Sequence, residues 1–270
     1  MVVQHNMTSM NANRQLGITV GNQAKATEKL SSGYKVNRAG DDAAGLTISE
    51  KMRSQIRGLN KASTNAEDGI SVIQTAEGAL NEAHEILQRM NELATQAAND
   101  TNTSSDRTAI KKEVDALTSE LNRIASTTQF NTMNLLDGTF TGKKLQVGAL
   151  NGQTISISIK TMNATALGVN SLAVDSNTTA GTSMSKIQAA ISKVSTQRSA
   201  LGALQNRPEH TVKNLDTTSE NTQSAESRIR DTDMAAQMVE YSKNNILQQA
   251  GQSMLAQANS ANQGVLSLLQ

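Results

Sequence analysis

A seven-residue apolar repeat constrains this chain more than any other feature. It runs unbroken through Met52, Leu59, Ala66, Ile73, Leu80, Leu87 and Ala94. A second row follows three positions on, through Ala62, Gly69, Ala76, Ala83, Met90 and Ala97. A strict heptad keeps one seam of a helix turned toward its partners, and small residues beside the seam let backbones approach closely. The stretch from Ala43 to Ala98 therefore reads as a single helix, roughly 80 Å long at ~1.5 Å of rise per residue. No helix of that kind can bury its seam alone, so the other segments must supply its neighbours.

Composition agrees with thin helical layers rather than a thick core. Of 270 residues, 37% are hydrophobic and 1% aromatic, with no Trp, two Tyr and two Phe. Large rings usually dominate core energetics, and here Ala, Ile, Leu and Met must fill the seams instead. A single Pro also favours long helices. The net charge of +1 gives no electrostatic footprint for nucleic acid or an anionic membrane. Without Cys there are no disulfides and no thiolate chemistry. No apolar run approaches the ~20 residues of a membrane-spanning helix. The opening MVVQHNMTSMNANRQL lacks a basic start and an apolar block. The expectation is a chain with no cleaved signal peptide, which would need another export route.

In chain order, residues 1–34 read as an amphipathic helix with a weak stripe of Val3, Met7, Met10, Leu16, Val20, Ala24 and Leu30, interrupted by Gly17 and Gly21. Such a helix is marginal in water unless something packs on it. It is either a loosely docked terminal helix or one completed by another subunit. After a connector at 31–40, Asp41 or Asp42 can cap the long helix. Ile110, Val114, Leu117, Leu121 and Ile124 mark a return helix. Asp137-Gly138 and Asn151-Gly152 are hairpin-turn signals, and apolar alternation around the second predicts a small β-hairpin near 143–160. Residues 160–182, rich in Ser, Thr, Asn and Gly, read as the most exposed loop.

From Met184 the heptad resumes through Ile187, Val194, Leu201, Pro208, Leu215, Thr222 and Ile229. Pro208 removes the N–H that would bond the Leu204 carbonyl, so a kink is expected there. The last segment carries Leu247, Ala250, Met254, Ala258, Ala261, Val265 and Leu268 at spacings of three and four. Apolar surface thus runs toward both ends of the sequence, where most chains become polar.

Catalytic chemistry finds no support. His5, His84 and His210 are not at ligand spacing, and neither a phosphate-binding loop nor a dinucleotide fingerprint occurs. No nucleophile–base pair stands out, and no cofactor is implied. The N-x-[S/T] sites read as coincidental, and the Ser/Thr-rich 170–185 segment reads as a solvated loop, with a carrier of O-linked sugar as the alternative. The rival to an assembly protein is a heptad-rich signalling rod, which should carry its densest motif at a hairpin tip. Here the strongest motifs lie along the arms.

Those motifs are SSGYKVNRAGDDAAGLTISEKM and its continuation to residue 100, STQRSALGALQNRPEHTVKNLDTTSEN at 195–221, and SAESRIRDTDMAAQMVEYSKNNILQQ and its continuation at 224–270. They closely resemble bacterial flagellin, the subunit of the flagellar filament. The resemblance implies a mainly α fold, a long antiparallel helical bundle or coiled-coil rod with a small β-hairpin and no large outer domain. Residues 1–42 with 232–270 would form the inner filament-core domain. Residues 43–231 would form the helical rod, with a hairpin and variable loop at 140–183.

The resemblance also implies self-assembly into a helical homopolymer for swimming motility, with the terminal helices folding on assembly. The core-assembly stripe would be Leu247, Ala250, Met254, Ala258, Ala261, Val265 and Leu268. Export through the flagellar secretion channel would place the protein outside the cell, with an export chaperone, cap and hook-junction proteins as partners. Toll-like receptor 5 is a further implied partner, through Arg89 and Leu93 of LQRMNELATQ and Glu113 on the return helix, surfaces shared with the protofilament contact. Two departures stand out. Asn91 replaces a common Arg, and Pro208 replaces a bulky apolar residue, which makes Pro208 a candidate determinant of filament form.

Overall fold

The computed structural model describes residues 6–267, with their side chains through Ser260. Val3, His5 and Leu268 lie outside the described residues, as do the side chains of Ala261 and Val265. The elements in order are α1 (Met7–Ser32), α2 (Ala43–Ala97), α3 (Ser104–Thr127), β1 (Gln129–Phe130), β2 (Met133–Asn134), β3 (Lys143–Gln146), β4 (Thr154–Ile157), α4 (Ala164–Leu167), α5 (Asn177–Arg230) and α6 (Met234–Ser267). The fold is mainly α, with two small antiparallel two-stranded sheets among the described residues. The chain packs as two units, Met1–Ser54 with Asn221–Gln270, and Gln55–Glu220.

In the second unit the heptad seams behave as their spacing predicts. Ile73, Leu80, Leu87 and Met90 are fully enclosed, as are Ala66, Ala76 and Ala94. Their partners are Ile110, Val114 and Leu121 of α3 and Ile187, Val194 and Leu201 of α5. Helix α3 starts on a reciprocal cap in which Thr103 accepts from the Asp106 N–H and the Asp106 carboxylate accepts from the Thr103 N–H.

The β3–β4 hairpin pairs Lys143 with Ile157 and Leu145 with Ile155, within the range read from the sequence. It lies on α2 at two glycines. A methyl group at Gly58 would stand 2.9 Å from the Ala149 Cβ and 3.3 Å from its Cα, and one at Gly69 would stand 2.3 Å from a terminal carbon of Leu145. At Gly58 only a bare backbone allows the approach, because Ala149 has no side chain that can turn aside. Asp137-Gly138 is not a hairpin turn; the Asp137 carboxylate accepts from the Thr139 N–H and hydroxyl. A second hairpin, β1–β2, escaped the pattern because its strands are two residues each.

Two expectations need correction. Residues 160–182 are not the most exposed loop. Met162, Ala164, Leu167, Val169, Leu172 and Val174 are all buried in the common core, and α4 lies among them. These apolar groups follow neither a two-residue nor a 3.6-residue period, which hid them among polar neighbours. The late helix also begins earlier than Met184. Ser176 and Thr179 bond each other reciprocally at the start of α5, and Ala180 continues its heptad one repeat before Ile187. Helix α5 runs without interruption through Pro208, which is buried.

In the first unit α1 and α6 lie antiparallel. Asn6 donates to the Ala258 carbonyl at 2.9 Å, and Leu16 stands against Gly251. At the other end the Thr232 N–H donates to the Gly33 carbonyl, and the Lys35 N–H to the Arg230 carbonyl. Gly33 closes α1 at φ 75°, the left-handed conformation that glycine accepts without strain. Asp42 caps α2 by accepting from the Gly45 N–H, while Asp41 holds the connector by accepting from the Asn37 and Arg38 N–H groups. Those backbone donors, Arg38 first, hold the Asp41 carboxyl below its ordinary range.

Candidate functional site

The two units differ sharply in what they do with apolar side chains. Outside the first unit only Met133 and Leu150 are large, apolar and exposed among the described residues. Ten such residues lie on α1 and α6, and Ile48 of α2 adds an eleventh to the same unit. On α1 they are Met7, Met10, Ile18 and Val20; on α6 the most open is Val239, at 70% exposure. The pair buries little in return, with Ala26 as its one enclosed apolar side chain among the described residues of α1. Two helices alone have only one mutual seam, and the large apolar side chains away from it are exposed among the described residues.

The stripe read from the sequence falls on this surface. Leu247 is 46% exposed, Met254 is 65% exposed and Ala250 is also open, whereas Ala258 is half-buried where its carbonyl meets Asn6. Sequence reasoning named Met7, Met10 and Val20 but passed over Val239 and Ile246, which lie seven residues apart and so share a face.

A sturdy joint ends the pair. The Arg230 guanidinium stands 4.7 Å from the centre of the Tyr34 ring and donates to Glu50 at 2.8 Å. Its side chain is largely buried, so both contacts count for more than surface pairs do.

On the second unit, Arg89 and Glu113 come together. Arg89 donates through Nη2 to Glu113 at 2.9 Å and through Nη1 to Glu92 at 3.1 Å. Both carboxylates hold the Arg89 proton more tightly, Glu113 foremost. Leu93 does not join them at the surface. It is 1% exposed and packs in the core, because α2 has neighbours on two sides and buries more than the narrow heptad seam. Glu77, near Arg198 of α5, and Arg89, bound to Glu113 of α3, mark those two sides.

Among the described residues no group of three His, Asp or Glu side chains could hold a metal ion, and no helix is long and apolar enough to cross a membrane. What the molecule offers is surface for other helices.

Comparison with known proteins gives that surface its context. The profile of the bacterial flagellin N-terminal helical region matches residues 3–141, and that of the C-terminal helical region matches residues 184–269. The chain is 54% identical to a flagellin of Halalkalibacterium halodurans and 48% identical to one of Bacillus subtilis, each over the whole of both chains. It is similar to the crystal structure of Bacillus cereus flagellin, with a TM-score of 0.52 and 32% identity over 56% of this chain and 88% of that one. Helical arms that leave their apolar faces open, matched end to end by these relatives, place the chain in the bacterial flagellin family, structural proteins of the flagellar filament and not enzymes.

Proposed function

We propose that the chain is a filament subunit whose α1 and α6 complete their packing only against the same helices of neighbouring copies. One observation carries this reading: the ten large apolar side chains left open on those two helices. Each assembled contact would remove such groups from water, at about 25 cal/mol per Å² of apolar surface, and would offset the cost of ordering two long helices. A contact between unlike faces that does not close on itself propagates as an open helix. The first unit would then line the filament core. Export through the flagellar channel, with a chaperone before assembly and cap and hook-junction proteins at the filament ends, follows from the same role.

Sedimentation and electron microscopy of the full chain beside a 45–230 fragment test the reading. Filaments from the full chain and soluble monomer from the fragment are expected. Filament growth by the fragment would overturn the role given to α1 and α6.

Recognition of the monomer by Toll-like receptor 5 is a second reading, supported by the exposed Arg89–Glu113 pair on adjoining helices. Arg89→Ala is its cleaner test in a reporter-cell assay, because Leu93→Ala opens a core cavity and costs about 2–5 kcal/mol by itself. Unchanged signalling by Arg89→Ala would remove the pair from the receptor site.

A further inference from the structure

The exposed apolar surface of α1 and α6 is rich in one particular side chain. Of its ten large exposed apolar residues, five are methionines: Met7, Met10, Met234, Met238 and Met254, between 48% and 69% exposed. Met90 and Met162, by contrast, are 0% and 5% exposed inside the second unit. In a chain without Cys, the thioether is the aliphatic side-chain group that a mild oxidant attacks, and its susceptibility follows its access. Leucine or isoleucine at the same places would offer the same apolar area without that chemistry.

We propose that these five methionines form a reversible oxidation site, and that their conversion to sulfoxides withholds the monomer from the filament. This rests on the assembly role given above to α1 and α6. The co-reactant is hydrogen peroxide. A sulfur lone pair attacks one peroxide oxygen, the S–O bond forms and the O–O bond breaks. The departing hydroxide takes up the remaining proton and leaves as water, so sulfur loses two electrons and the peroxide gains them. Each product side chain is polar, chiral and strongly hydrogen-bonding, and burying it in an apolar contact requires stripping its water. Five such groups lie on the two helices whose exposed surface assembly would dry, whereas the core that holds the second unit together contains enclosed sulfur and stays intact.

The test uses the full chain as monomer, treated with hydrogen peroxide, quenched, mapped by peptide mass and then polymerised. Sulfoxide is expected at the five positions and at the exposed Met133, and not at Met90 or Met162. The critical concentration for polymerisation should rise at least about tenfold, since a loss of only ~1.4 kcal/mol per added subunit has that effect. Treatment with sulfoxide reductases for both epimers should restore it. A variant carrying Met7→Leu, Met10→Leu, Met234→Leu, Met238→Leu and Met254→Leu should polymerise equally well before and after peroxide, although its Met133 still oxidises. Full oxidation of the five methionines with an unchanged critical concentration would overturn the proposal, and so would loss of assembly by the peroxide-treated leucine variant. Failure of the untreated chain to polymerise would instead refute the assembly reading beneath it.

Discussion

Asn131 and Thr132 link β1 to β2 with φ angles of 45° and 63°, a turn that requires left-handed backbone at both central residues. Asparagine tolerates that conformation, but a β-branched threonine crowds its own carbonyl there, at a cost of about 1–2 kcal/mol. Thr132→Gly should therefore stabilise the second unit, by up to ~1 kcal/mol after the extra freedom of glycine in the unfolded chain is counted. Equilibrium urea unfolding of the two proteins measures it, and a weaker Thr132→Gly protein would show that Thr132 makes compensating contacts. Asp106 sets a different kind of constraint. The Thr103 hydroxyl and N–H depress its pKa below the ordinary value of 3.8. The native carboxylate binds its proton less readily than the unfolded one, so the gain is complete above that ordinary value and fades as pH falls through the lower native one. Asp106→Asn should lower the thermal midpoint at pH 7 and leave it nearly unchanged near pH 2. An equal loss at both pH values would mean that the cap acts through shape alone.

Helix α2 carries glycines that look alike in the sequence and differ in their surroundings. Nothing stands within 4 Å of a methyl group at Gly78, whereas Gly58 faces Ala149, whose Cβ and Cα cannot rotate away. Gly78→Ala should stabilise the protein by about 0.5–1 kcal/mol through helix propensity. Gly58→Ala should forfeit that gain, because the loop between β3 and β4 must lift, while Gly69→Ala falls between them as the Leu145 tip can turn aside. Thermal unfolding of the three variants decides the order, and equal gains at Gly58 and Gly78 would show that the hairpin does not depend on its close seat. In α5, Pro208 leaves the Leu204 carbonyl without its helical donor, yet the helix continues and the ring is buried. Pro208→Leu should restore that bond and stabilise the second unit by about 2–3 kcal/mol. If the filament has two nearly balanced packings, that change also alters its supercoil, and unchanged filament shape in electron micrographs would confine Pro208 to a local effect.

Legibility in the sequence followed the regularity of the packing. Met52 to Ala97 repeats the same environment every two turns, so its heptad declared both the helix and its buried faces. Val169, Leu172 and Val174 meet the core from backbone outside any helix or strand, at spacings of three and two that match neither the helical nor the strand period. Ala180 and Ser183 are small, and so their place in the α5 seam was masked by composition. Leu93 was misjudged at the surface for a related reason. A heptad describes one partner seam, and only the fold reveals that a second neighbour covers the flank. Arg89 and Glu113 were each named by resemblance, but that they pair across α2 and α3 could not be read from the sequence.

The molecule as a whole joins two kinds of stability. The second unit has its own enclosed core of α2, α3, α5 and the segment around α4, and its unfolding should be indifferent to how much protein is present. The first unit is a layer two helices thick with its outer faces bare. On the assembly reading, the free energy that completes it would come from other molecules, and its melting would belong to the population rather than to the single chain. Calorimetry over a range of protein concentrations should show one transition that stays fixed and one that climbs as the solution passes the threshold for polymerisation. Below that threshold, a protease should trim α1 and α6 while sparing the rest; above it, the same residues become the hardest in the particle to reach.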